Sequence, residues 1–216
     1  MIQTMLRAIT EKHHLNGITV GEYGKMKVNG MNFQIWAFYA EGLGHVSAMV
    51  ATGFFGLMKM DTLIINPTER DLPLFSYDRV HAMGNDTLIY ELYDTLLEKG
   101  DLSGLEQVKT MYAALPDHDL GQHWYDSIKL PVSLSKKGKK ANRADFDRCA
   151  MDYLKAYLEA VEAAPYCEPI PKKEKASIYV EGLLANGGPS TDVFKKGIGE
   201  EKTGELFRNI LFGTAR

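Results

Sequence analysis

Apolar residues recur at helical spacing at the start of the chain. Ile2, Met5, Leu6 and Ile9 share one face, so the pattern predicts an amphipathic helix over 2–14, closed by Asn16-Gly17. From residue 18 the spacing shortens, and strand-like runs follow at 18–28, 33–39, 45–52, 60–66, 75–82 and 87–94. Asn29-Gly30, Gly42-Leu43-Gly44 and Gly84-Asn85-Asp86 punctuate the joins, and joins this short make antiparallel neighbours. The stretch GFFGLMK at 53–59 fits a strand extension, a bulge or a short apolar turn. Beyond Thr95 the pattern becomes helical. It predicts helices over 102–115 and 142–163, a third begun by Pro171 and stopped at Asn186-Gly187-Gly188-Pro189, and two short ones over 190–197 and 201–211. Residues 119–128 read as a short helix or turn and KKGKK at 136–140 as a basic loop. A block of strands followed by a block of helices, with one helix ahead, predicts a mainly antiparallel sheet covered on both faces.

One connection carries a chemical group into the sheet. TLIIN at 62–66 reads as a strand buried on both faces, and PTERDLPLFSYD at 67–78 leads from it into an alternating strand. There Phe75, Tyr77 and Arg79 point one way, and Leu74, Ser76, Asp78 and Val80 the other. Asp78 thus shares an apolar face, where an ionised carboxylate needs a partner, a ligand or a shifted pKa. It either fixes a turn by bonding backbone or an arginine, or acts as an acid. In TLIYELYD at 87–94, Glu91 and Asp94 lie on opposite faces, and the register decides which of them stands near Asp78.

Composition narrows the classes. A 216-residue chain with 45% hydrophobic residues buries one sizeable core, so a single domain over 1–216 is expected. The net charge of −3 supplies no basic field for nucleic acid. Two cysteines without CxxC spacing indicate neither a disulfide framework nor a zinc site and fit a reducing cytoplasm. No run is apolar enough to span a membrane, and no membrane partner is expected. There is no GxGxxG, P-loop or GxSxG. Asp117-His118-Asp119 could hold a metal but reads as a solvated turn, and no metal is expected. The lysines at 136, 137, 139 and 140, with those at 172, 173 and 175, are either solvated surface or a docking face for an acidic electron carrier. Tyrosines and methionines in the strand block suit the core, or the walls of a pocket for a large planar ligand.

Three segments together resemble the ferredoxin-dependent bilin reductases, which reduce the open-chain tetrapyrrole biliverdin without flavin, haem or metal. They are Leu72-Pro73-Leu74-Phe75-Ser76-Tyr77-Asp78 after a strand ending at Pro67; YELYD at 90–94; and a tail with a Tyr179-bearing helix, VFKKGIG at 193–199 and ELFRNILF at 205–212. The resemblance implies a three-layer α/β/α sandwich with a mainly antiparallel sheet, and a bilin between the sheet and the C-terminal helices. It implies electrons from ferredoxin or flavodoxin and no bound cofactor. The family's proton-donating aspartate falls on Asp78. Its strand histidine falls near Thr62 and its catalytic glutamate near Met49 to Ala51, so both groups are missing here. Thr62, Met49, Asp94 and Asp192 are expected to line the substrate site, with Asp192 a candidate second acid. The implied function is bilin reduction with Asp78 as the principal acid; the alternative is a non-catalytic tetrapyrrole or haem-binding protein on the same fold.

Overall fold

The computed structural model describes residues 1–215; Arg216, the last residue of the expected domain, lies outside them. Helix α1 (Ile2–Thr10) precedes strands β1 (Leu15–Ile18), β2 (Lys25–Val28), β3 (Met31–Ala40), β4 (Gly44–Gly53), β5 (Met58–Asn66), β6 (Leu74–Ala82) and β7 (Asn85–Tyr93). Helix α2 (Ser103–Met111) and a short 3-10 turn at Trp124–Ile128 lead to β8 (Leu134–Lys139). Helices α3 (Arg143–Ala163), α4 (Pro169–Asn186), α5 (Pro189–Ile198) and α6 (Glu200–Glu205) follow, and α6 runs into a π-turn at Leu206–Leu211. The strands form one sheet in the order β1-β3-β4-β5-β6-β7-β8, with β2 beside β1 on the outer edge of β3, and every pairing is antiparallel.

The alternation along each strand separates two buried clusters. Val46, Leu63, Phe75, Tyr77 and Tyr90 pack with residues of α1, α2 and α3. Met49, Ile64, Leu74 and Tyr93 pack with residues of α4, α5 and the C-terminal π-turn. Burying both faces explains why TLIIN carries no solvent-facing polar alternation. Among the described residues, no helix is long and apolar enough to cross a membrane.

Three expectations need correction. Residues 136–139 of the KKGKK segment belong to an edge strand, because β7 offers them a free row of backbone groups, with Leu88 opposite Lys136. The inward-facing Lys136 is only 5% exposed; its ammonium bonds the carbonyl of Leu115 at 2.9 Å and the carboxylate of Asp117 at 2.6 Å. The strand expected over 18–28 is broken by a 3-10 turn at Gly21–Gly24, where Gly21 has φ +56°, so β1 and β2 pair with separate halves of β3. Lys172 is not surface either. It is fully buried on α4, 3.3 Å from Asp71 and within 2.7 Å of the carbonyls of Leu72 and Thr95. Neither Lys136 nor Lys172 can belong to a docking face.

The Lys172 pin ties α4 to the segments that precede β6 and follow β7. Burial lowers the lysine pKa, and Asp71 opposes that shift. Removing one member of a buried pair strands the other, at a cost of about 3–5 kcal/mol. Lys172→Met is therefore expected to lose about 3 kcal/mol or more in urea unfolding; a loss below about 1 kcal/mol would show that the pin is not needed.

Candidate functional site

The register lays one row of side chains across the sheet on the face covered by the C-terminal helices. Ile35 is paired with Met49, Met49 with Thr62, Thr62 with Asp78, and Asp78 with Ile89. The neighbouring row holds Ser47, Ile64, Ser76 and Glu91. Above these rows lies a cavity of about 970 Å³, counting its solvent-filled mouth. Tyr179 and Leu183 of α4 and Phe207, Leu211 and Phe212 of the C-terminal segment form its roof, while His123 and Tyr125 close one side.

The roof is held to the floor by polar side chains. At the C-terminal end of a helix the last carbonyls lack partners within the helix. Here the His45 ring nitrogen Nε2 meets the carbonyl of Ile210 at 2.8 Å, Ser47 donates to that of Leu211 at 2.7 Å, and Asn66 to that of Phe212 at 2.8 Å. Gly213 follows with φ +64°, and a Cβ there would stand 2.4 Å from the His45 ring, so only glycine fits this close approach.

Asp78 lies on the floor, half-buried, accepting a hydrogen bond from the Thr62 hydroxyl at 2.5 Å. Burial pushes its pKa up from 3.8 to about 6, the nearby Glu91 carboxylate adds to the rise, and the Thr62 bond works against both. Glu91, 9% exposed, accepts from the Tyr93 hydroxyl at 2.6 Å and lies 3.7 Å from the Lys129 ammonium. Tyr93 stacks on Tyr179 with ring centroids 4.0 Å apart and meets Tyr125 edge-on at 5.5 Å. Burial drives the phenols of Tyr93 and Tyr179 well above the ordinary range, so both stay protonated, and Tyr93 donates to Glu91. The arrangement is an aromatic slot with two carboxyl groups on its floor, one of them poised to hold a proton near neutrality.

The structure brings Met49, Thr62 and Asp78 together in this cavity. Asp94 and Asp192 are not brought there. Asp94 follows the last residue of β7, exposed, and its carboxylate accepts the backbone N–H of Leu96 at 3.2 Å. Asp192 is exposed on α5, while its neighbours Ser190 and Thr191 line the cavity. Of the two acids in YELYD, the register selects Glu91, because residue 89 stands opposite residue 78 and odd positions of β7 therefore face the cavity. His81 lies on the other face, its Nδ1 2.9 Å from Asp86. Among the described residues no cluster of three or more His, Cys, Asp or Glu converges as a metal site.

Compared with solved structures, the chain is similar in fold to phytochromobilin synthase from tomato, crystallised in complex with biliverdin. The TM-score is 0.80, with 16% sequence identity over 99% of this chain and 82% of that one. No protein-family model and no curated protein matches the sequence.

The raised Asp78 pKa has a consequence for stability. The folded state binds this proton more tightly than the unfolded chain does, so the full stability is present below about pH 4 and falls as pH rises through 6. Two units at about 1.4 kcal/mol each set the cost near 2–3 kcal/mol above pH 7. Asp78→Asn is expected to be more stable than the parent by about 2 kcal/mol at pH 7.5, with the difference closing toward pH 4. Parallel denaturation curves that show a pH-independent difference would contradict the raised pKa.

Proposed function

We propose that this protein is an oxidoreductase that reduces a linear tetrapyrrole, with single electrons from ferredoxin or flavodoxin and a proton from Asp78. The observation that carries the reading is a carboxyl group with a pKa near 6 on the floor of an aromatic cavity. The fold it shares with a biliverdin-bound synthase supports the ligand class. In this reading the helices flank the sheet as the outer layers of an α/β/α sandwich in a single domain, and the bilin lies between sheet and C-terminal helices.

Reduction of one double bond takes up two electrons and two protons. A bound bilin accepting one electron becomes a radical anion, and the neutral Asp78 carboxyl protonates it, leaving a carboxylate. The second electron then calls for a second proton, so Asp78 must be recharged or another acid must act. Glu91 is suited to that step. It borders both the main cavity and a second cleft lined by His118, Asp119, Lys129 and Ser135. A proton from solvent in that cleft reaches Glu91 before it reaches Asp78. Thr62 holds the Asp78 carboxyl in place and Met49 supplies apolar contact, where the bilin reductases have an ionisable pair. Asp94 and Asp192, facing solvent, take no part.

Biliverdin added to the pure protein is expected to shift its visible spectrum on binding, and reduced ferredoxin to bleach the long-wavelength band. Asp78→Asn should lower the bleaching rate by about 10²-fold or more, the usual contribution of a general acid, with biliverdin affinity changed by no more than a few-fold. Binding with no bleaching by the parent protein would select the tetrapyrrole-binding alternative, which the loss of the histidine and glutamate positions favours. In Glu91→Gln the rate should fall and its pH profile should shift to lower pH, because the neighbouring charge that helps to raise the Asp78 pKa is gone. An unchanged profile would remove Glu91 from the proton route.

A further inference from the structure

The β4–β5 and β6–β7 hairpins end side by side, because Met58 at the start of β5 is paired with Ala82 at the end of β6. Their turns are apolar and bare. Phe54 is 64% exposed, Phe55 fully exposed, Leu57 73% and Met83 91%. Three of these four sit in the left-handed region, with φ of +51° at Phe54, +55° at Phe55 and +50° at Met83. Bulky residues are rare there, and glycine or asparagine would relieve the backbone. Large apolar side chains are thus held in solvent on a strained backbone, a pattern found at sites that engage a ligand or surface.

Charge surrounds the apolar tips with one sign. Lys27 borders the same shallow hollow as Phe54 and Phe55. Lys59, after Met58, is half-exposed and 3.5 Å from the buried Asp61, and Lys139 reaches Asn85 beside the Met83 turn, with Lys140 exposed next to it. The acids within 25–32, 50–61, 79–88 and 136–143 are Asp61 and Asp86, and both are buried in ion pairs. On the adjoining first turn of α3, Asp145 is paired with Arg148 and Asp147 with Arg79.

We infer that the paired hairpin tips are a docking surface for an anionic lipid bilayer, with Phe54, Phe55, Leu57 and Met83 entering the interface and the lysines meeting lipid phosphates. Such a combination of apolar insertion and basic flanks is what binds proteins to the face of a membrane without spanning it. A second copy of the chain is a poor occupant. Like-charged lysine rims would face each other across a two-fold axis. The inference revises the expectation of no membrane partner, and it does not depend on what the cavity binds.

The test is co-sedimentation of the full chain with vesicles of phosphatidylcholine containing 30% phosphatidylglycerol, and with vesicles of phosphatidylcholine alone. Binding is expected to the anionic vesicles, weakened by 0.5 M salt, and at least tenfold weaker in the Phe54→Asn/Phe55→Asn double variant. The double variant should melt no lower than the parent, since both changes relieve left-handed backbone, so lost binding cannot be assigned to unfolding. In Phe55→Trp, the added emission should shift to the blue with anionic vesicles. No sedimentation with the anionic vesicles, or equal sedimentation of the double variant, overturns the inference. So does a concentration-dependent dimer that the double variant abolishes, which would assign the tips to self-association.

Discussion

Everything in the site depends on seating the chain's last helical turns against the sheet. A π-turn that ends in the interior leaves carbonyls without partners, and a buried unpaired carbonyl is costly. His45, Ser47 and Asn66, on two adjacent strands, meet three successive carbonyls from Ile210 to Phe212. These bonds are directional where apolar packing is not. They fix how far Phe207, Leu211 and Phe212 stand from the floor, and so they set the height of the cavity.

The buried carboxylates show why Asp78 differs from the rest. Asp86, on the opposite face, has the Arg79 guanidinium at 2.7 Å and Arg143 at 3.1 Å. Burial would raise the Asp71 carboxyl, but the N–H groups of Leu97 and Glu98 and the Lys172 ammonium outweigh it and hold the pKa below the ordinary value. Among the described residues Asp78 is met by a threonine hydroxyl and no cation, with a second carboxylate nearby. A fold that provides cations for its structural acids withholds one here, and the consequence is a proton held near neutrality. The same choice costs stability above pH 6, which a purely structural aspartate would not require.

Much of this arrangement was legible in the sequence wherever the signal was local. Period-two alternation put Asp78 with Leu74 and Val80 and turned Arg79 away, and both placements follow from backbone geometry alone. Turn residues marked most hairpins. What failed was non-local. Alternation places Glu91 and Asp94 on opposite faces, but only the pairing of β6 with β7 says which face meets Asp78. The lysine run at 136–140 read as a loop because strand formation there depends on β7, and Lys172 read as surface because its partners lie 77 to 101 residues away in the chain. Charge predicts exposure only until a fold supplies the counter-charge.

In the proposed function the Asp78 carboxyl holds a proton near neutrality and gives it to a bound bilin. The most direct measurement is its titration, by carbon-13 NMR of labelled aspartate assigned with Asp78→Asn, with and without biliverdin. The expected midpoint is near pH 6 in the free protein, and higher when biliverdin displaces water from the cavity. A midpoint near 4, unmoved by biliverdin, would mean that Asp78 is an ordinary carboxylate and not the acid of the reaction.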